Sequence, residues 1–551
     1  MHGRVRVRTT AEQEAIKKVE RAKKVAEYKA AISIVFQKRK ENVWDDELFL
    51  ITEKMCLKNP DIYTLWNIRR QAFNANNWSK DIYQERLLKE LTLTENCLRE
   101  NPKSYSAWHH RHWVIDHLPD INWKAELALC TKYLNMDDRN FHCWNYRQYL
   151  VTKAGVPDAE EFEFSTAKIL NNFSNYSSWH YRSKILSKMF PDESGELPIQ
   201  IEKHKEELDL VMNATFTDPN DSSAWFYQRW LLDYHNVSTC AFWRAQITNS
   251  EITAVFHKEV SIDPMTTFLK IQDNKIPLIW KSYGDKKFSK LWSATFSEPL
   301  SIFRNVDMIQ FHFEGTSYSF RPSNQVQTWI AESTGLRIIK DNSQFKEQLD
   351  NYKQLSEMEP NNKWALLTRI FLMKNIDPIA YHQNILNDIS ALSKIDKLRS
   401  NYFNDLRSRY ALDFVLHHLI RGTDIEVESK IDFSGLDLTM FYNEQYCSFL
   451  EEVNLNSNKL GNSLYRLQTL QNCRKLSLSN NDIKTLKSFP TLKKLEYLSL
   501  QNNDLLSVDE IIDVVKRHDL KILDIRDNPV NKSNNISRIS NISPTLEIIK
   551  N

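Results

Sequence analysis

The chain has 551 residues, and its 73 basic and 71 acidic side chains give a net charge of +2, so no global field favours nucleic acid or an anionic membrane as a partner. The length predicts three or four domains. The 9 glycines are too few and too scattered for a Rossmann fingerprint, a P-loop or a kinase glycine-rich loop, so nucleotide chemistry is not expected.

The cysteines and the N-terminal residues bear on the compartment of the protein. The 7 cysteines are dispersed and form no Cys-x-x-Cys pair, which favours reduced, buried thiols over a disulfide framework or a zinc knuckle. The first residues have no apolar run after their charges, and no apolar stretch of about 18 residues occurs in the chain. These features predict an intracellular, cytoplasmic protein without a transmembrane segment.

A short phrase that ends in tryptophan occurs six times. The copies end at Trp66, Trp108, Trp144, Trp179, Trp225 and Trp364. The first four intervals, of 42, 36, 35 and 46 residues, are typical of helical hairpins that bury their apolar faces by stacking on one another. The fifth interval is 139 residues, so a segment of about 100 residues interrupts the stack.

The sequence around these phrases predicts helix, short turn, helix. An amphipathic segment that begins with an acidic residue beside an apolar one precedes each of the first five tryptophans; the pairs are Glu47-Leu48, Glu90-Leu91, Glu126-Leu127, Glu163-Phe164 and Glu207-Leu208. The turn is indicated by Asn59-Pro60, Asn101-Pro102 and Asp218-Pro219, where an N-cap residue precedes a proline suited to the first position of the second helix.

From about residue 244 to 342, short runs rich in β-branched and aromatic residues replace the helical pattern, and they indicate strands at 266–271, 276–280, 291–296 and 308–313. A segment of about 100 residues is the size of an immunoglobulin-like sandwich. No disulfide is expected to staple it, because Cys240 is the only nearby cysteine. The helical pattern resumes at Phe345 and continues to about Gly422.

The last part of the chain carries a second repeat. A leucine-rich pattern, in which an asparagine follows a predicted strand, occurs four times. The copies begin at Val453, Leu476, Leu498 and Leu523, at intervals of 23, 22 and 25 residues. The apolar residues alternate as in a strand, and the asparagine is suited to hydrogen-bond the backbone between coils. We expect the polar tail after Pro529 to cap the array.

The tryptophan phrases resemble the α-subunit repeat of protein prenyltransferases, Pro-x-Asn-Tyr-x-x-Trp-x-x-Arg, and the order of domains resembles that of the α subunits of animal Rab geranylgeranyltransferases (type II) along the whole chain. The expected fold is multidomain and mainly α-helical. Its expected domains are helical repeats one to five at 1–243, an inserted immunoglobulin-like β-sandwich at 244–342, the continued helical domain with the sixth repeat at 343–430, and leucine-rich repeats at 431–551.

This resemblance implies one subunit of a heterodimer that transfers geranylgeranyl from geranylgeranyl diphosphate to C-terminal cysteines of Rab GTPases presented by an escort protein. It implies that the catalytic Zn²⁺ is carried by the β subunit, and this chain offers no ligand set that we would assign to it. The concave helical surface would hold the β subunit through a tryptophan-rich inner face.

The resemblance also implies which residues reach the substrate. Lys103 and Tyr105 match the lysine and tyrosine that contact the diphosphate in the family. A lysine just inside a helix N-terminus adds its positive charge to the end of the helix dipole that favours an anion. A solvated lysine is the alternative. His142 matches a histidine that, in the family, lines the β-subunit cavity in which the diphosphate is held. A packed core histidine is the alternative. His2 matches an N-terminal histidine that lies near the partner's zinc, as an autoinhibitory fourth ligand.

Two further features qualify the resemblance. His109, His110, His112 and His117 form a dense group, but neighbouring side chains diverge by about 100° on a helix, so packing or interface roles are favoured over metal binding.

The phrases also depart from the motif, with Phe141 and Ser222 in place of tyrosine and with Gln228 and Leu367 in place of arginine. The sixth copy is therefore expected to be structural only.

The alternative function is a non-catalytic scaffold, in which a tetratricopeptide-like solenoid is joined to leucine-rich repeats. Tetratricopeptide repeats hold a period of about 34 residues. The intervals here vary, and the phrases keep the order Pro-x-x-Tyr-x-x-Trp-x-x-Arg. The sequence therefore favours the enzyme subunit, although a solenoid fold alone would not.

Overall fold

The computed structural model describes residues 11–193, 197–232, 241–272, 274–276, 278–282, 286–297, 308–323, 328–333, 343–421, 429–461, 463–532, 537–540 and 542–550. The chain forms two compact units, Met1–Ala214 with Asp221–Leu231, and Thr215–Asn220 with Leu232–Asn551. Within the described ranges, no helix is both long enough and apolar enough to cross a membrane.

The first unit is helical. Its helices are α1 (Ala11–Lys40), α2 (Asp46–Lys58), α3 (Tyr63–Ala75), α4 (Lys80–Glu100), α5 (Tyr105–His117), α6 (Trp123–Met136), α7 (Phe141–Ala154), α8 (Asp158–Asn171), α9 (Tyr176–Met189), α10 (Ile201–Thr217) and α11 (Ser222–Leu232), of which the ends of α10 and α11 belong to the second unit. From α2 onward, successive helices form five hairpins, and each tryptophan phrase opens the second helix. The predicted helical repeats are confirmed.

The turns within the hairpins differ from the prediction that proline opens the second helix. In the second repeat, α5 begins only at Tyr105, and the first repeat departs in the same way. Asn101 instead ends the first helix and forms a turn, in which its side-chain oxygen accepts the N–H of Lys103 over 3.3 Å. The carbonyl of Pro102 is left facing the second helix, where it accepts the indole N–H of Trp108 over 2.8 Å.

This indole bond recurs in the first four repeats. The tryptophan N–H donates to the carbonyl oxygen six residues earlier, in the pairs Trp66 to Pro60 (2.7 Å), Trp108 to Pro102 (2.8 Å), Trp144 to Asp138 (2.8 Å) and Trp179 to Phe173 (2.8 Å). All four side chains are buried. A buried indole needs a partner for its N–H, so each tryptophan both fills the core of its hairpin and closes the turn.

An arginine three residues after each of these tryptophans links its hairpin to the next. Its guanidinium forms a buried ion pair with a glutamate in the first helix of the following repeat, in the pairs Arg69–Glu90, Arg111–Glu126, Arg147–Glu161 and Arg182–Glu207. The same guanidinium donates to a threonine in the first helix of its own repeat, namely Thr52, Thr94, Thr131 and Thr166. We call this set the arginine ladder.

Each glutamate of the arginine ladder has a second partner, which comes from its own hairpin. These partners are His110, Tyr146, Tyr181 and Tyr227, at 2.7–2.9 Å from the carboxylate. Of the acidic residues expected to begin the amphipathic segments, Glu90, Glu126 and Glu207 are ion-pair partners within helices, whereas Glu47 lies in the first turn of α2. In the fourth repeat the partner is Glu161 rather than Glu163. Burial alone would raise the pKa of Glu90, but Arg69 and His110 hold that pKa down at about 2.

The second unit contains a β-rich part made of two antiparallel sheets. Its strands are β1 (Phe242–Ile247), β2 (Glu251–Val260), β3 (Phe268–Ile271), β4 (Asn274–Ile276), β5 (Lys281–Ser282), β6 (Ser289–Thr295), β7 (Ile309–Phe313), β8 (Thr316–Ser319), β9 (Arg321–Pro322) and β10 (Trp329–Glu332). They are ordered β5-β6-β2-β1-β10-β9 and β4-β3-β7-β8. The sheets share a core, in which Phe242 lies 5.0 Å from Phe311 and Phe256 lies 4.9 Å from Phe313 between ring centroids. The first strand begins two residues before the expected boundary.

The rest of the second unit combines helices with a parallel sheet. The helices are α12 (Ser343–Met358), α13 (Lys363–Ile376), α14 (His382–Ile395), α15 (Ser400–Val415), α16 (His417–Arg421), α17 (Val508–Arg517) and α18 (Ser537–Ser540). The strands, in sheet order, are β11 (Lys430–Asp432), β12 (Glu452–Asn454), β13 (Lys475–Ser477), β14 (Tyr497–Ser499), β15 (Ile522–Asp524) and β16 (Glu547–Ile549). The first and last of these strands lie outside the four copies seen in the sequence.

The asparagine of each C-terminal repeat is buried and bonds two successive coils. Asn503, for example, donates to the carbonyls of Leu478 and Leu500, at 2.9 Å each, and accepts the N–H groups of Asn481 and Ile483, at 3.0 Å each. The residue just before the asparagine has a left-handed backbone in every repeat; these residues are Ser457, Asn480, Asn502 and Asp527. That conformation turns the side chain of the asparagine toward the preceding coil.

One apolar core runs through much of the second unit. Trp243 of the β-rich part packs on Tyr446 and Phe449 of the C-terminal coils, at centroid distances of 4.8 and 6.2 Å. Leu412 of α15 and Leu416, the residue after its end, belong to the same core and are fully buried. The helices, the β-rich part and the coils are therefore not separated by solvent within this unit.

We predict that Arg111→Ala lowers the free energy of unfolding of the helical repeats by about 3–5 kcal/mol, because Glu126 is then left buried without its counter-ion. Urea unfolding followed by tryptophan fluorescence measures the change. Lys89→Ala is the matched control, since Lys89 forms an exposed pair with Glu85 and its loss is expected to change nothing measurable. An Arg111→Ala variant as stable as the control would contradict the importance of the arginine ladder.

Candidate functional site

The candidate site lies at the N-terminal ends of α5 and α7. The resemblance implies one substrate site for Lys103, Tyr105 and His142; in the structure Tyr105 and His142 are in ring contact, and the charge of Lys103 acts on His142. His2, the fourth candidate, lies outside the described residues.

Two polar caps hold the N-termini of α5 and α7. Ser104 caps α5 by accepting the N–H of Ala107 over 3.3 Å. Asn140 caps α7 by accepting the N–H of His142 over 3.1 Å, and its amide donates to the carbonyl of Pro102 over 2.9 Å. Because Asn140 bonds both its own helix and the preceding turn, it sets the distance between the two halves of the site.

Lys103 lies one residue before the cap of α5, and so just outside the helix rather than just inside it as expected. Its side chain is 64% exposed, and its ammonium group lies 3.0 Å from the carboxylate of Asp137. The positive charge therefore lies in contact with solvent and at the positive end of the helix dipole, so that the ammonium and the dipole both favour an anion at this place.

Tyr105 and His142 are in ring contact. Tyr105 is 69% exposed, and its ring meets the ring of His142 edge-on with a centroid distance of 4.1 Å. His142 itself is buried, and it also contacts Phe141. Burial, and then the charge of Lys103, lower the pKa of His142, whereas Asp61 acts in the opposite direction. Near neutral pH this imidazole is uncharged, with one N–H donor.

The arrangement offers an ammonium, a phenol and a neutral imidazole around one exposed rim. All three can donate a hydrogen bond to an anion, and only the ammonium brings a full charge. The imidazole is the only base among the three, and it is buried against the ring of Tyr105. The site is suited to hold and stabilise an anionic group rather than to supply a nucleophile.

A row of exposed aromatic side chains continues from this site along the second helices. They are Tyr63, Tyr105, Phe141, Tyr176 and Phe226, with 47–69% of each side chain exposed. The expected tryptophan-rich inner face is thus wrong, because the tryptophans are buried within the hairpins. In the first four repeats the exposed aromatic residue occupies the tyrosine position of the phrase, whereas in the fifth repeat Phe226 lies one residue after Trp225. Such a row marks an interaction surface.

The dense histidine group is used in packing. His110 bonds Glu90, His112 lies against Tyr146, and His117 lies against Trp113. In the part of the chain that the structure describes, no group of three or more histidine, cysteine or acidic side chains is arranged to hold a metal ion. The six described cysteines are buried free thiols, and Cys240 lies outside the described residues.

Comparison with known proteins places these hairpins in a family. The protein prenyltransferase alpha subunit repeat matches residues 44–76, 87–118, 123–154, 158–189 and 204–235, which correspond to the five hairpins. The chain is also 33% identical over 576 residues to the geranylgeranyl transferase type-2 subunit alpha of Sus scrofa, with all of both chains covered. The chain belongs to the geranylgeranyl transferase type-2 α-subunit family.

Other members of this family match this chain over different lengths. The Homo sapiens geranylgeranyl transferase type-2 subunit alpha is 34% identical over 512 residues, with 88% of each chain covered. The Saccharomyces cerevisiae protein of the same name is 37% identical over 243 residues, which cover 42% of this chain and 72% of the yeast protein. The matched repeats end at residue 235, so the sixth phrase, with Leu367 in place of arginine, lies beyond them.

We predict that Lys103→Ala raises the pKa of His142, because it removes a nearby positive charge that opposes protonation. The pKa should stay below its ordinary value, since burial is the larger cause of the shift. NMR titration of ¹³C-labelled histidine measures it, with Lys132→Ala as the control on an exposed lysine of α6. Below pH of about 6.5 the unfolded chain binds this proton more readily than the folded chain, so acid makes folding less favourable. An unchanged or lower pKa in Lys103→Ala would contradict the electrostatic contact.

Proposed function

We propose that this chain is the α subunit of a heterodimeric Rab geranylgeranyltransferase, which transfers geranylgeranyl from its diphosphate to C-terminal cysteines of Rab GTPases presented by an escort protein. The observation that carries the proposal is the similarity, over the whole chain, to α subunits of that name. The exposed cationic rim at α5 and α7 supports it, because this chemistry releases a diphosphate.

In the proposed reaction, a cysteine thiolate attacks the first carbon of the isoprenoid while the bond from that carbon to the diphosphate oxygen breaks. The electron pair of that bond leaves with the diphosphate. Zn²⁺, carried in this proposal by the β subunit, supplies a lowered thiol pKa. This chain has to stabilise the negative charge that develops on the leaving group.

We assign this role to Lys103 and Tyr105, with His142 in support. The ammonium of Lys103 offsets the developing charge, and the helix dipole of α5 acts in the same direction. The phenol of Tyr105 supplies a neutral donor. His142 packs against the ring of Tyr105 and presents an uncharged imidazole, so it orients the phenol and lines the cavity without adding a second charge.

We assign the row of exposed aromatic side chains to the interface with the β subunit. Its first four members are the first residues of α3, α5, α7 and α9, so a partner that covers them also closes over Lys103. An obligate heterodimer of this kind buries on the order of 2,000 Å² or more. His2 keeps its proposed contact with the zinc of that partner.

We further assign the β-rich part, at 244–342, to an immunoglobulin-like sandwich, and the C-terminal coils, at 431–551, to leucine-rich repeats. Two antiparallel sheets with a shared core support the first assignment. One short parallel strand and one buried asparagine in each C-terminal repeat support the second. The helical domain then comprises residues 1–243 and 343–430, with cytoplasmic Rab proteins as its substrates.

We predict that Lys103→Ala lowers the rate of transfer by about 10²-fold in the complex with the β subunit, because one donor to the leaving diphosphate is lost. A single-turnover assay with geranylgeranyl diphosphate, escort protein and a Rab measures this rate. Lys89→Ala is the matched control, since Lys89 is an exposed lysine of the same repeat on the first helix. The heterodimer should form normally with both variants.

Two results would change the proposal. A stable and active complex whose transfer rate does not depend on Lys103 would keep the subunit assignment and remove the diphosphate role. A chain that forms no complex with any β subunit, and supports no transfer, would favour the scaffold function instead.

A further inference from the structure

The turns within successive hairpins contact one another. The first residue of each turn uses its side-chain oxygen to accept the N–H of the third residue, as Asn101 does for Lys103. In the second repeat the first residue also reaches back to the third residue of the preceding turn, because the amide of Asn101 donates to the carboxylate of Asp61 over 3.0 Å. Lys103 and Asp137 make this contact one repeat later, with a full charge on each side.

Asp137 is fixed by bonds that leave one of its oxygens for Lys103. Its Oδ1 accepts the N–H of Arg139 over 3.1 Å, and its own N–H donates to the carbonyl of Tyr133 over 2.9 Å. The carbonyl of Asp137 accepts the N–H of Asn140 over 3.2 Å, which joins it to the cap of α7. Its Oδ2 therefore has a set position, 3.0 Å from the ammonium of Lys103.

Lys103 needs such a partner because its side chain is long, flexible and mostly exposed. An ammonium has three N–H donors, so one bond to Asp137 leaves two donors for an anion at the rim. We propose that Asp137 is a positioning residue that holds the ammonium of Lys103 beside Tyr105 and His142, where the diphosphate leaves. This inference rests on the proposed function.

Two effects of Asp137 on the bound diphosphate oppose each other before the reaction. The carboxylate repels the anion, whereas the fixed ammonium attracts it, so removing the carboxylate changes substrate affinity little. The transfer step has no such compensation, since the developing charge needs a donor that is already in place. We expect Asp137→Asn to slow transfer by about tenfold, with the KM for geranylgeranyl diphosphate within about twofold of wild type.

Asn is a suitable replacement because other turns carry it naturally at this position. Asn59, Asn101 and Asn172 accept the same turn N–H, at 3.0–3.3 Å, so Asp137→Asn keeps the turn and removes only the charge. Asp138→Asn is the matched control. It removes a carboxylate of equal charge from the same turn, but Asp138 bonds Asn172 over 2.6 Å and does not contact Lys103.

The test is single-turnover transfer by the complete heterodimer, with geranylgeranyl diphosphate, escort protein and a Rab. Asp137→Asn, Asp138→Asn, Lys103→Ala and the double variant Lys103→Ala with Asp137→Asn are compared. We expect Asp137→Asn to be slow, Asp138→Asn to match wild type, and the double variant to be no slower than Lys103→Ala alone. That last result separates positioning from a general loss of structure, because the carboxylate would then act only through Lys103.

Each contrary outcome has a distinct meaning. Normal transfer by Asp137→Asn, in an enzyme that Lys103→Ala slows, overturns the inference and leaves the proposed function intact. Equal losses in Asp137→Asn and Asp138→Asn overturn it as well, because they point to the turn rather than to Lys103. Normal transfer by Lys103→Ala overturns both the inference and the proposed diphosphate site.

Discussion

The helical part of this protein depends on a buried charge that two hairpins share. Each arginine of the ladder bonds a threonine of its own hairpin and a glutamate of the next, so neither hairpin can satisfy its polar groups alone. Breaking such a pair leaves an uncompensated buried charge, which makes the spacing between hairpins stiff. The site residues sit at the ends of these helices, and their separation follows from that spacing.

The recurrence of the tryptophan phrase was enough to predict the hairpins, because a period and an apolar pattern survive local variation. The details of the turns were not predicted. Asn-Pro is typical of a helix start, but in this chain Pro102 serves as the acceptor for Trp108 and the helix begins later. Glu161 was missed in favour of Glu163, since two acidic residues two positions apart cannot be ranked without knowing which helix face is buried.

The site was predicted in part for similar reasons. Lys103, Tyr105 and His142 follow from the family phrase, and the structure shows Tyr105 and His142 in ring contact. Asp137 carries no signal of its own, because it is one acidic residue among 71 and its partner is 34 positions earlier in the chain. Likewise, the phrase does not say which of its aromatic residues is buried. Only the fold shows that the tryptophans face inward and the tyrosine position faces solvent.

The shared core of the second unit bears on how shortened forms of this protein should be judged. Trp243 of the β-rich part packs on Tyr446 and Phe449 of the C-terminal coils, and Leu412 of α15 belongs to the same core. A chain that ended at residue 430 would lose the coil side of that core and expose Trp243 to water. Weak expression, aggregation or loss of activity in such a truncation would then reflect a newly uncovered apolar surface, and would not by itself give the coils a part in the chemistry.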